Sequence, residues 1–397
     1  MIKKTFLCLL CLCLVLSGCG DGSAPASSSG EAALSSAVPE PESSSQAPAV
    51  SGMESSPDVS GVYEYRGDGK EQYVIPEFSR RGEDGALLSP GIFRDSLGGE
   101  FPDMPENPRT VSLYGSYAEA WLLAGGELAG VTKDALEERD LGLPADIPVV
   151  GTVKEPNAEA IIALEPELVL LNPDIAGQMD IRDVLENAGI SCACFRVDTF
   201  EDYSNMMFQF WGLTGREDLY KQNVEDVGEE IQAAKMTAAL SSNLPSVLLM
   251  RAFSTGIKAK TDDELAGSIL KDLNARNIAD DHPSMLEDLS LEEIIGADPD
   301  FIFVTTMGNE EKALQYLDSL IEKNPAWQEL TAVKEGRYIV LPKDLFHYKP
   351  NNRWGESYEY LGKILYPALF EGEWQRKAAD EGQGQQETAA ASAADAS

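Results

Sequence analysis

Asn157–Asn172 reads NAEAIIALEPELVLLN, and Ser290–Val304 repeats the frame 133 positions later as SLEEIIGADPDFIFV. Glu159 falls on Glu292, Ile161-Ile162 on Ile294-Ile295, Pro166 on Pro299 and Glu167 on Asp300. Each copy opens on a residue whose side-chain oxygen can cap a helix N-terminus, Asn or Ser. A short helix follows, a proline stops it, and an apolar run of strand length comes next. Such a helix–turn–strand unit feeds a buried parallel strand. Two copies in one chain predict two similar α/β lobes, each an open parallel sheet.

Outward from this repeat, the run Asn324-Pro325-Ala326-Trp327 and the stretch Leu330–Val340 (LTAVKEGRYIV) add further motifs in order. Together they resemble the substrate-binding proteins of ABC importers for ferric siderophores, haem and cobalamin, over residues 91–371. The resemblance implies two lobes joined by a single long helix. It also implies that one glutamate per lobe, here Glu159 and Glu292, docks on arginines of the membrane permease. Read alone, each acid sits in a helix's first turn, where the macrodipole already favours it; the matching frames favour docking.

The N-terminus carries a targeting signal. Lys3 and Lys4 precede the apolar run Thr5–Leu16, which is short for a membrane span. Leu16-Ser17-Gly18-Cys19 resembles a bacterial lipoprotein box, so residues 1–19 read as signal peptide with Cys19 as the lipid-bearing residue. The expected location is the outer face of the bacterial cell membrane. Residues 20–60 are rich in Ser, Pro, Ala and Glu and read as a disordered tether, as does the tail 373–397. Of six cysteines only Cys192 and Cys194 remain beyond the lipid box. Their two-residue spacing puts both on one strand face, where packing outweighs a redox or metal role.

The body divides into an unassigned extension (61–90), an N-terminal α/β lobe (91–212), an inter-lobe helix (213–243) and a C-terminal α/β lobe (244–372). A hairpin is expected around Gly98-Gly99, and a helix from Thr199 with Asp202 completing a capping box. Arg216–Leu240 continues as a polar helical pattern. In the resembling family, the loop matching Tyr114–Tyr117 lines the ligand cleft. Tyr114, Ser116 and Tyr117 are therefore candidate contacts, and the two tyrosines depart from the usual Pro-Ser.

The net charge is −36, from 67 acids against 31 bases. Nucleic acid is an improbable partner, because it demands clustered Lys and Arg. Two segments run against the overall sign: Arg251, Lys258 and Lys260 in Arg251–Thr261, read as a loop, and His347, Lys349 and Arg353 in the loop Leu341–Arg353; Trp354, which opens the closing helix, is a further candidate ligand contact. Both are acid-free. They read as a basic wall for an anionic ligand or, equally, as surface cations paired with the plentiful acids. Two histidines, His282 and His347, exclude a three-histidine metal site. No nucleophile elbow, phosphate loop or Cys/His pairing points to an enzyme. The resemblance implies a lipid-anchored, monomeric solute-binding component of an ABC importer, partnered by a permease and its ATPase. It would have no intrinsic cofactor, and its ligand would be a ferric siderophore, haem or corrinoid. A same-fold sensor or scavenger, and an enzyme or metallochaperone on this fold, are the alternatives.

Overall fold

The structure is a computed structural model that describes residues 62–65, 71–75, 80–82, 85–287 and 290–371. The segments expected to be signal peptide, tether and tail, with Cys19, lie outside the described residues. Thirteen strands are described. They are β1 (Val62–Tyr65), β2 (Glu71–Val74), β3 (Phe93–Arg94), β4 (Glu100–Phe101), β5 (Thr110–Ser112), β6 (Leu128–Val131), β7 (Leu168–Leu171), β8 (Ser191–Cys194), β9 (Ser246–Phe253), β10 (Gly256–Ala259), β11 (Arg276–Asn277), β12 (Phe301–Thr306) and β13 (Tyr338–Val340).

Two sheets dominate. The first is parallel in the order β6-β5-β7-β8; the second runs β10-β9-β12-β13, with β11 beside β9. In the second sheet only β10 is antiparallel. The central strands β7 and β12 are buried along their whole length, as a sheet covered on both faces requires. Side chains alternate between separate cores: Leu168 and Leu170 face one, Val169 and Leu171 the other. Cys192 and Cys194 join Val169 and Leu171, and burial pushes both thiols up to about 12. They are core residues with no thiolate character.

The repeat recurs in atomic detail. The Asn157 side chain accepts the Ala160 N–H at 3.0 Å, and the Ser290 hydroxyl accepts that of Glu293 at 3.4 Å. Glu165 and Asp298, equivalent positions just before the prolines, both take positive φ, 48° and 39°. The proline disfavours helical geometry at the preceding residue, so the chain leaves the helix through the left-handed region. Glu167 then accepts the Arg109 N–H at 2.8 Å, and Asp300 accepts the Ser246 N–H at 2.8 Å. Each acid ties its own strand to the start of the neighbouring one, β5 or β9.

The helix Phe200–Thr214 starts with the expected Thr199/Asp202 capping box and ends on left-handed Gly215. Helical backbone then runs from Glu217 to Ala239, with a π-helical turn at Lys221–Glu225 that the sequence pattern did not predict. It packs against the closing helix Trp354–Leu365. Val224, Val227, Ile231, Ala234 and Ala238 of the connecting helix share one continuous core with β7 and β9.

Two boundaries differ from the sequence reading. The body starts before Gly91: Gln72, Tyr73, Val74 and Ile75 are buried. The segment Arg251–Thr261 is a hairpin in which Arg251 pairs with Lys258 across β9 and β10. Its inward residues include Ala252 and Ala259, too small to give a clear apolar alternation.

Candidate functional site

The candidate residues arise where strands end. After β5 the chain turns at Tyr114 into the helix Gly115–Leu123. Beyond β6 it passes Asp134–Glu137 to Arg139, and after β8 it reaches Asp198. In the other lobe β9 carries Arg251, and the chain past β13 forms the short helix Lys343–Phe346 and a 3-10 turn at Asn351–Arg353. In open α/β sheets ligands bind beyond such carboxyl ends.

Several predicted residues converge. Tyr114 is half-buried and sits edge-on to Tyr117 at 5.0 Å. His347 packs against Tyr348 at 5.1 Å. Burial, then the nearby charges of Arg251, Lys343 and Lys349, lower its pKa to about 4. The two basic segments therefore meet around a neutral imidazole whose Nδ1 is buried without a partner. Lys349 donates to Asp198 at 2.9 Å. Burial opposes its charge, but Asp198 and neighbouring groups outweigh that and raise its pKa.

Other expected contacts are buried in the core or engaged with partners in this structure. Tyr117 is fully buried, its hydroxyl donating to the Phe195 carbonyl at 2.6 Å and accepting from Asn172 at 3.2 Å. Trp354 is equally buried, edge-on to Phe200 at 6.2 Å. Both aromatics went into the core because their area is worth more there than in a wet cleft. Ser116 is buried, and its hydroxyl accepts from Arg139 at 2.8 Å. Arg251 and Lys260 both pair with Glu264, each at 2.5 Å, an acid just past the segment that reads as acid-free. Arg353 forks onto Glu356 and Asp344, which hold its pKa above the usual range. Lys258 is exposed on the hairpin. Much of the basic wall is thus internally neutralised: Lys349 too has its acid, Asp198, and Lys343 lies 3.9 Å from Glu310.

Arg139 escaped the sequence reading because Glu137, Glu138 and Asp140 surround it and suggest an ordinary surface. In the fold it is largely buried, ion-paired with Glu119 and stacked over Tyr348 at 5.6 Å. Burial lowers its pKa to about 10. Tyr348, between His347 and Lys349, was legible as an aromatic within a basic run. Among the described residues no three His, Cys, Asp or Glu side chains come together as metal ligands. A depression lined by Arg81, Glu217, Asp218, Lys221 and Glu225 lies along the connecting helix and contains no candidate residue.

Glu159 and Glu292 occupy equivalent places, in the first turns of Ala158–Ile162 and Leu291–Ala297. Both are exposed, and neither bonds or ion-pairs through its side chain with another described residue.

The depressed His347 pKa has a testable sign. Unfolded, the imidazole binds its proton near pH 6.5; folded, only near 4. The unfolded state holds more protons between those values, so this group's stabilisation is present above 6.5 and drains away as pH falls towards 4. The total is up to about 3 kcal/mol. His347→Gln should flatten the acid side of a thermal-midpoint titration across that window. An unchanged slope would show that the imidazole is not buried among these cations.

The periplasmic binding protein family model matches residues 110–345. The ABC transporter substrate-binding lipoprotein YvrC of Bacillus subtilis is 26% identical over 274 residues, covering 67% of this chain and 82% of that protein. The high-affinity haem uptake protein IsdE of Staphylococcus aureus is 21% identical over 221 residues, 56% of this chain and 75% of its own. The structure of IsdE complexed with haem matches with a TM-score of 0.55 at 18% identity, over 65% of this chain and 99% of that one. The siderophore-binding protein BauB, bound to acinetobactin and ferric iron, matches with a TM-score of 0.54 at 19% identity, over 69% and 97%. At these identities the structural matches speak for the fold.

Proposed function

This chain belongs to the periplasmic binding protein family, and from that premise we propose that it is the extracytoplasmic solute-binding component of an ABC importer for an iron chelate, haem or a ferric siderophore. The observation that carries the reading is the pair Glu159 and Glu292: exposed, without a described partner, and set by the same cap-to-proline frame in the two lobes. Family membership and the relatives that take up haem or bind a ferric siderophore support the ligand class.

On this reading the ligand sits at the carboxyl ends of the sheets. Tyr114 and Tyr348 offer aromatic faces, Lys349 and Lys343 positive charge, and neutral His347 a nitrogen lone pair towards iron. Binding calls for no covalent step. Cys19 would carry the lipid that keeps the monomer at the outer membrane face, with more than one acyl chain for stable anchoring. No helix among the described residues is long and apolar enough to cross a membrane.

The test is a tryptophan-quenching titration of the chain from residue 62 onward with haemin, a ferric catecholate, a ferric hydroxamate and cobalamin. Saturable binding of an iron chelate, weakened by Lys349→Ala or His347→Ala, is expected. Binding of cobalamin alone would move the ligand class; binding of none would overturn the iron-chelate reading.

A further inference from the structure

The loop that brings His347, Tyr348 and Lys349 to the site follows the C-terminal sheet in sequence, yet its polar grip is on the other lobe. Asn351 has φ 52° and is fully buried. Asn is among the few side chains tolerated in that conformation. Its amide donates to the Ser116 carbonyl at 2.9 Å and to Glu119 Oε2 at 2.7 Å. The same carboxylate oxygen pairs with Arg139. Arg139 in turn donates to Ser116 Oγ at 2.8 Å and to the Lys349 carbonyl at 2.9 Å. Lys349 reaches Asp198, and Asn352 donates to Asn223 at 3.1 Å, on the π-helical turn. By contrast, the backbone N–H groups of His347 and Tyr348 both return to the Lys343 carbonyl, in the C-terminal lobe.

We propose that Glu119 is a positioning residue: by holding Arg139 and Asn351 together it fastens the 348–352 loop to the N-terminal lobe and fixes Tyr348 and Lys349 relative to Tyr114 before a ligand arrives. This rests on the reading of that loop as part of the ligand site. Glu119 is the one anion shared by both anchors, and hydrogen bonds to an ionised acceptor are the strong ones. The connection between lobes then bends at Tyr348, whose N–H follows the C-terminal lobe while its ring lies against Arg139, and from Lys349 onward the chain follows the N-terminal lobe. A preorganised loop pays its ordering cost in advance, which slows ligand release.

Two variants test this. Glu119→Gln keeps shape and removes charge; Asn351→Gly keeps the left-handed backbone and removes the amide. Hydrogen–deuterium exchange on the ligand-free protein should quicken in 347–353 by roughly tenfold for either, the expected loss of a charged or doubly used hydrogen bond. Exchange in β7 and β12 should stay unchanged. Haemin dissociation, followed by its absorbance, should accelerate by roughly tenfold in both. Unchanged loop exchange, or quickening spread equally through the sheets, would overturn the latch. A quickened loop with unaltered haemin release would overturn its positioning role. If the unsubstituted protein does not bind haemin, the ligand reading fails there, and the exchange result still decides whether the loop is fastened by Glu119.

Discussion

A chain beginning at residue 102 is expected to lose cooperative unfolding of its N-terminal lobe, whereas one beginning at residue 62 keeps it. The reason is what the extension supplies. Gln72 donates to the Arg196 carbonyl at 3.1 Å and to Asp202 at 2.9 Å. Asn205 accepts the Ile75 N–H at 3.0 Å and donates to the Tyr73 carbonyl at 3.2 Å. Arg80, 1% exposed, donates to the Ile75 carbonyl, Ser204 and Tyr220, and lies over the Phe208 ring. Asp95 and Ser96 of the β3–β4 hairpin bond the backbone of Cys194 and Arg196 at and just past the end of β8. Tyr73, Ile75 and Phe93 lie in the same core as Phe195, Phe208 and Phe210.

Deleting the segment removes those three buried apolar side chains, roughly 1.5–3 kcal/mol each. It also strands the buried amide of Asn205, at about 1–3 kcal/mol, and takes one of several hydrogen bonds from Asp202. The sum rivals the whole stability of an ordinary domain, roughly 5–15 kcal/mol. Circular dichroism and calorimetry on the two chains decide it. Equal midpoints would mean the extension is merely laid on a lobe that folds without it.

Replacing both Glu159 and Glu292 by alanine should abolish iron-chelate uptake by cells while leaving ligand affinity unchanged. If the reading of these acids as permease contacts is right, each loses a charged pair at an interface, a change that costs roughly 2 kcal/mol or more and so about thirtyfold in association per site. The competing account is local: an acid in a helix's first turn contributes about 0.3–1 kcal/mol through the macrodipole. That account predicts a small fall in thermal midpoint and normal uptake. The two accounts therefore differ in uptake, not in stability. Normal uptake would favour a helix-terminal role, and with ligand binding retained it would suit a sensor or scavenger. Charge reversal on the permease arginines, restoring uptake with Glu159→Arg and Glu292→Arg, would establish the pairing directly.

The sequence by itself determined what local forces control. Caps at Asn157 and Ser290, the Thr199/Asp202 box, the prolines after Glu165 and Asp298, and the apolar runs of β7 and β12 act over a few residues. Their periodicity therefore writes the α/β lobes and the connecting helix into the chain, and the 133-residue repeat says there are two of them.

Tertiary structure alone decided which side chains of the candidate site are buried and which stay accessible. Tyr117 and Tyr114 lie three residues apart in one loop-to-helix segment, yet the first is core and the second half-exposed, because Phe195, 78 residues later, takes the Tyr117 hydroxyl. Glu264 and Glu356 stand close in sequence to Lys260 and Arg353, but the pairings of Arg251 with Glu264 and of Arg353 with Asp344 needed the fold. Arg139 reads as one charge among many acids, and only contact with a loop 210 residues away makes it part of the site. Such partners are chosen by the packing of whole elements. Burial multiplies the worth of each polar pair, and no pattern within a few residues records which distant group will complete it.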